Sequence, residues 1–170
     1  RHVTQQSDPE LFWGLRGGSC GNFGVVTAIE FDLYPVARFY GGTLAYAGDK
    51  AAEALAFFRE WVKTVPHELT SSITLLKIPA LPQVPEALHG KIKVLVRAVY
   101  VGEASEGQRY IQDWLDWATP DANDFAERPF AEIGEVSQDG VEPVSAYSSN
   151  ALLNALDDVA IEAIVRRASD

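Results

Sequence analysis

Methionine is absent from the 170 residues, and cysteine occurs once, at Cys20. A single thiol excludes an internal disulfide framework, so apolar packing must hold the fold, and it points to a reducing, cytoplasmic setting. No apolar run approaches the ~20 residues of a membrane-spanning helix. No signal-peptide pattern opens the chain. Positive charge is scarce as well: 14 Lys and Arg stand against 24 Asp and Glu, a net charge of −10. Such a surface repels phosphate backbones and anionic headgroups, which sets nucleic acid and membrane aside as partners. The three histidines, His2, His67 and His89, lie in separate turns without ligand spacing, which excludes a histidine metal site. No G-x-S-x-G motif and no Ser-His-Asp set is present, so acyl-transfer chemistry has no carrier here.

What remains is 47% hydrophobic and 22% charged, enough for one substantial core, or for a small domain joined to the tail of another. The densest signal is Arg16-Gly17-Gly18-Ser19-Cys20-Gly21-Asn22-Phe23-Gly24-Val25-Val26-Thr27. Before it, Asp8 to Leu15 reads as a short helix with Asp8 at the N-cap, Pro9 in the first turn and Gly17 as a left-handed stop. After it, Val25 to Leu33 alternates apolar and polar like a strand. The order helix, glycine loop, strand is the reverse of a dinucleotide fingerprint, and no Lys-Ser/Thr pair follows to make a phosphate loop. Two readings therefore stay open: a plain helix-to-strand turn, or a loop whose bare backbone approaches a ligand.

The run Asp8-Pro9-Glu10-Leu11-Phe12-Trp13-Gly14-Leu15-Arg16-Gly17-Gly18, then Gly21 to Thr27, then Phe31-Asp32-Leu33-Tyr34-Pro35-Val36, resembles the end of the FAD-binding domain in berberine-bridge-type FAD-linked oxidases. The resemblance is close over the first fifth of the chain and looser beyond it; Ser19 and Cys20 stand where that family has glycines. It implies an α+β fold, with the close of the flavin domain at 1–36 and most of a substrate domain at 37–170. It implies FAD as cofactor, approached by Gly17, Gly18, Gly21, Asn22, Gly24, Val25 and Val26, since backbone N–H groups in a glycine nest suit phosphate oxygens. The activity implied is oxidation of a small-molecule alcohol or amine by hydride transfer to flavin. The family's covalent flavin anchors lie before this segment and its base after it, so the resemblance names no catalytic residue here, and Cys20 reads as an inert loop cysteine. With no Met at its start and a helix at its end, the chain reads as an internal piece of a larger enzyme. Holding one wall of the cofactor site, the piece alone is expected to carry no FAD. The alternative is a stand-alone α+β module that binds a ligand or partner through an open sheet face.

Beyond Pro35 the periodicities predict strands at Arg38–Tyr46, Leu69–Ile78 and Lys91–Val101. Helices are predicted at Asp49–Thr64, Glu103–Ala118 and Asp157–Ala168, with a short one after Pro129. Such an order packs as an antiparallel sheet with helices on one face. On the clearest strand, Ile92, Val94, Val96, Ala98 and Tyr100 should meet the helices. Lys93, Leu95, Arg97 and Val99 should face the open side, where Arg97 becomes a substrate candidate, as Tyr147 does through the resemblance. An uncovered face bearing Arg97, Leu95 and Val99 predicts a homodimer. Trp61, Trp114 and Trp117 read as core, and no carboxylate pair is marked for catalysis.

Overall fold

The structure, a computed structural model, describes residues 1–17, 20–80, 84–137 and 147–169. They form two compact units, Arg1–Pro35 and Val36–Asp170.

The first unit holds one regular helix, α1 (Pro9–Leu15). Asp8 caps it, accepting a hydrogen bond at 3.2 Å from the Leu11 amide. The helix stops at Arg16, and Gly17 follows with φ +83°, the left-handed conformation that glycine takes without strain. A single 3-10 turn, Cys20–Asn22, leads to Gly24 at φ +144°. The predicted strand at 25–33 does not form: residues 23–37 join no ladder. Its alternation is sound, but a strand exists only against a partner, and among the described residues none pairs with it. Val25, Ile29, Phe31 and Leu33 consequently stand exposed.

The second unit is built on a five-stranded antiparallel sheet in the order β2-β3-β1-β4, with β5 also on β1. The strands are β1 (Arg38–Ala47), β2 (Leu69–Lys77), β3 (Ile92–Tyr100), β4 (Ala122–Asn123) and β5 (Ala126–Pro129). The helices are α2 (Ala51–Trp61), α3 (Ala104–Trp117), the single turn α4 (Gly134–Ser137) and α5 (Asp158–Ser169). The three long strands and three long helices fall where periodicity puts them. The β4–β5 hairpin escapes it, because strands of two and four residues, one ending in proline, are too short to alternate. A close approach folds that hairpin onto β1: a Cβ on Gly42 would sit 2.6 Å from the Cα of Phe125.

Register explains the two faces. Tyr40, Leu44 and Tyr46 of β1 pair with Tyr100, Val96 and Val94 of β3. These side chains share one core with Ala54, Trp61, Ile111 and Trp114 from α2 and α3. Trp114 is fully buried at its centre, with the Phe57, Trp61, Trp117 and Tyr46 rings 4.7–6.0 Å away. The Tyr46 hydroxyl donates to the Trp114 carbonyl at 3.0 Å, and the Trp61 indole donates to the Tyr110 carbonyl at 3.1 Å. Burial pushes the Tyr46 phenol up to about 12. Tyr100 is raised to about 12, chiefly because its hydroxyl donates to Glu106 at 2.8 Å and ionisation would set two negative charges together. Arg59 ties α2 to α5, donating to Asp158 at 2.7 Å and to the Leu156 carbonyl at 3.2 Å.

Candidate functional site

Two places gather the residues singled out by sequence, one in each unit. In the first, Gly17, Gly21, Asn22, Gly24, Val25 and Val26 follow one another around an exposed loop; Gly18 lies outside the described residues. Gly17 and Gly24 hold positive φ, which a side chain would strain. Gly21 does not, and a Cβ built on it meets no atom within 4 Å. The backbone of this loop is therefore open to an approaching group, and its own packing does not require the missing side chain at Gly21. Beside it, Pro9, Glu10, Trp13, Gly14 and Phe23 line a shallow, mainly apolar depression.

In the second unit, Arg97 lies on the sheet face turned away from α2 and α3. Its β1 partner is Thr43 and its β2 partner Ser72, while Val96 and Ala98 on either side of it enter the core. The same period of two puts Thr70, Ser72 and Thr74 of β2 beside Arg97 in a row of hydroxyls. Across them passes the segment from Phe130 to Ser137, whose Val136 is buried and whose carbonyl there accepts from the Thr43 hydroxyl at 3.3 Å. Thr70, Ser71, Ser72, Arg97, Val99, Ile133, Val136 and Ser137 enclose a groove of about 210 Å³.

The face turned away from α2 and α3 is partly covered: Leu95 is 9% exposed and Val136 of α4 is buried over the sheet, while Ile133 and Leu76 stay exposed there. The homodimer expected from this face remains a proposal. Arg97 and Tyr147 are not brought together: Tyr147 is 95% exposed and does not line the groove. Lys93 is engaged by Asp121. The hydroxyl row and Ile133, Val136 and Ser137 were missed by the sequence reading. The row was legible in Leu69-Thr70-Ser71-Ser72-Ile73-Thr74-Leu75, where Leu69, Ile73 and Leu75 face the core.

Arg97 is half-buried and short of acceptors among the described residues. One terminal nitrogen donates to Thr74 Oγ1 at 3.2 Å, and its buried Nε finds no acceptor. Arg38, Arg59, Arg109 and Arg128 each meet a carboxylate; Arg97 meets none among the described residues. On the same face Arg128 is held by Glu135 and Asp124. Among the described residues no group of three or more His, Cys, Asp and Glu could hold a metal ion, and no helix is long and apolar enough to cross a membrane.

No protein-family model matches the chain. It is 32% identical over 133 residues to an FAD-linked oxidoreductase of Dictyostelium discoideum, which covers 77% of the chain and 26% of that protein. It is 30% identical over 79 residues to a chitooligosaccharide oxidase of Gibberella zeae, 45% of the chain and 16% of that enzyme. In fold it is similar to a xylooligosaccharide oxidase from Myceliophthora thermophila, solved in complex with xylobiose, with a TM-score of 0.57 and 19% identity over 81% of the chain and 28% of that one. The chain thus spans about a quarter of the length of the relatives that match most of it.

Proposed function

The chain is homologous to FAD-linked oxidoreductases, and from that premise we propose that it supplies one wall of an FAD site and the substrate-facing sheet of a flavin-dependent oxidase. The observation that carries this reading is the glycine loop. A dinucleotide needs backbone donors that no side chain screens, and Gly21 offers a Cα with open space around it, between two glycines held at positive φ. The residues present fit the cofactor in that respect. Gly17, Gly18, Gly21, Asn22 and Gly24 would face its phosphates and ribose, and Val25 and Val26 would flank the adenine. When bound, FAD supplies the hydride acceptor.

The chain's own residues have the task of orientation. The proposed substrate is a small-molecule alcohol or amine, the alcohol favoured by the sugar oxidases among its relatives. It would lie against the groove of the second unit, where Thr70, Ser72 and Thr74 present hydroxyls and Arg97 a cation. Positioning of this kind converts a two-body encounter into a near-unimolecular step. Tyr147 stays a candidate for the substrate's outer contact, and 1–36 and 37–170 remain the proposed flavin and substrate portions.

The test is flavin content of the intact protein carrying Gly21→Val. Since a Cβ at position 21 meets no described atom within 4 Å, folding should persist while flavin is lost. Full flavin in the variant removes the loop from the cofactor site.

A further inference from the structure

We infer that the groove on the sheet face turned away from α2 and α3 is a carboxylate site: Arg97 receives the carboxylate of a small molecule whose apolar body rests on Val99, Ile133 and Val136. The inference deepens the substrate groove proposed above and rests on that reading only for the claim that the molecule is also the one oxidised.

It starts from a missing charge. A guanidinium removed from water is held by a carboxylate or by a full set of acceptors. Here, in a chain of net charge −10, the described residues give Arg97 one neutral hydroxyl and leave its buried Nε without an acceptor. Arg128, on the same face, also has a buried Nε without an acceptor but takes both Asp124 and Glu135, so what sets Arg97 apart from it is the missing carboxylate. The neighbours of Arg97 on its own face are Thr43, Ser72 and Thr74, which add donors without cancelling its charge.

The surroundings also choose the anion. Lys93, further along the same face of β3, is occupied by Asp121, so among the described residues the groove offers one cation. α4, the helix over the groove, is a single turn of four residues, and the groove's lining includes no glycine. A phosphate dianion is ordinarily met by several cations or a nest of amides, whereas a planar carboxylate matches one guanidinium edge. Hydroxyls of Thr70 and Ser72 stand exposed at the polar edge, ready to donate to the second carboxylate oxygen. On the other side Val99, Ile133 and Val136 form an apolar wall suited to a ring or chain.

The experiment is calorimetric titration of the chain with benzoate, with its neutral isostere benzamide, and with inorganic phosphate. Benzoate should bind saturably and at one site, with benzamide and phosphate each weaker by about tenfold or more, the scale of a charged hydrogen bond. Arg97→Gln should weaken benzoate to the level of benzamide, while Arg97→Lys recovers only part, because an ammonium lacks the planar fork. Ile133→Trp fills the groove and leaves Arg97 in place; it should abolish benzoate binding with the far-UV spectrum unchanged. Equal affinity for benzoate and benzamide, phosphate binding as tight as benzoate, no saturable benzoate binding, or full binding by Arg97→Gln would each overturn the inference. The outcome is separable from the flavin reading. Arg97-dependent benzoate binding, with no flavin in the protein purified as its own gene encodes it, contradicts only that reading, and a flavin-loaded protein indifferent to benzoate contradicts only this one.

Discussion

Individual side chains carry consequences that substitution can isolate. Trp114 and Trp61 are both buried indoles in one aromatic cluster, but only Trp61 has an acceptor for its N–H. Trp114→Phe removes a donor that bonds to nothing among the described residues, while Trp61→Phe breaks the bond to the Tyr110 carbonyl. Trp61→Phe should therefore be the costlier by about 1 kcal/mol in urea unfolding, and Trp114→Ala should cost about 3–5 kcal/mol through the cavity it leaves. If Trp114→Phe proves the costlier of the two, its N–H has a partner that the structure lacks.

Tyrosines 46 and 100 add a pH dependence. Both phenols are raised to about 12 in the fold, against about 10 in an unfolded chain. Between those values the unfolded state has lost protons that the folded state keeps, so stability falls as pH rises. The contribution is fully present below the lower value and is lost through the upper one. Urea midpoints should hold below about pH 10 and decline above it, with Tyr46→Phe and Tyr100→Phe each flattening the decline. An unchanged midpoint up to pH 12 would contradict the burial and the Glu106 bond assigned to them.

Among elements, those with a full period were legible and those defined by a partner were not. Leu55, Phe58 and Trp61 announce α2, and Ile92 to Tyr100 announces β3 together with its two faces, including the outward position of Arg97. The segment 25–33 alternates equally well, yet sequence periodicity records a tendency to pair and not the presence of a partner. The β4–β5 hairpin and α4 were hidden for a different reason. They are held by a few tertiary contacts, such as Asp124 accepting from the Thr43 amide and the Val136 carbonyl accepting from the Thr43 hydroxyl. No local pattern encodes contacts across that many residues. The glycine loop was legible as unusual chemistry, but its place at a ligand rested on resemblance. The groove beside Arg97 needed both the register and the return of residues 130–137 over the sheet.

At the scale of the molecule, the two units differ in what holds them. Every large apolar side chain that is fully buried lies within 36–170. In 1–35, Trp13, Val25, Ile29, Phe31, Leu33 and Tyr34 are exposed instead. Residues 36–170 should therefore fold alone with a cooperative urea transition and scatter light as a monomer. The 170-residue chain should self-associate through the exposed residues of its first unit. A monomeric full chain alongside an associating 36–170 would reverse that assignment and favour the sheet face as the sticky surface. The 170 residues by themselves should purify without stoichiometric flavin, since a cofactor of that size is held by burial of most of its surface.

The central claim is that the glycine loop belongs to an FAD site in a flavin-dependent oxidase. It is tested most directly by the visible spectrum of the protein purified as its own gene encodes it, alone and with Gly21→Val. The account predicts one flavin per chain in the native protein, bleached by its alcohol or amine substrate under anaerobic conditions. It predicts a folded but colourless variant. A colourless native protein with an intact cooperative unfolding transition, or a variant as yellow as the native protein, would contradict it.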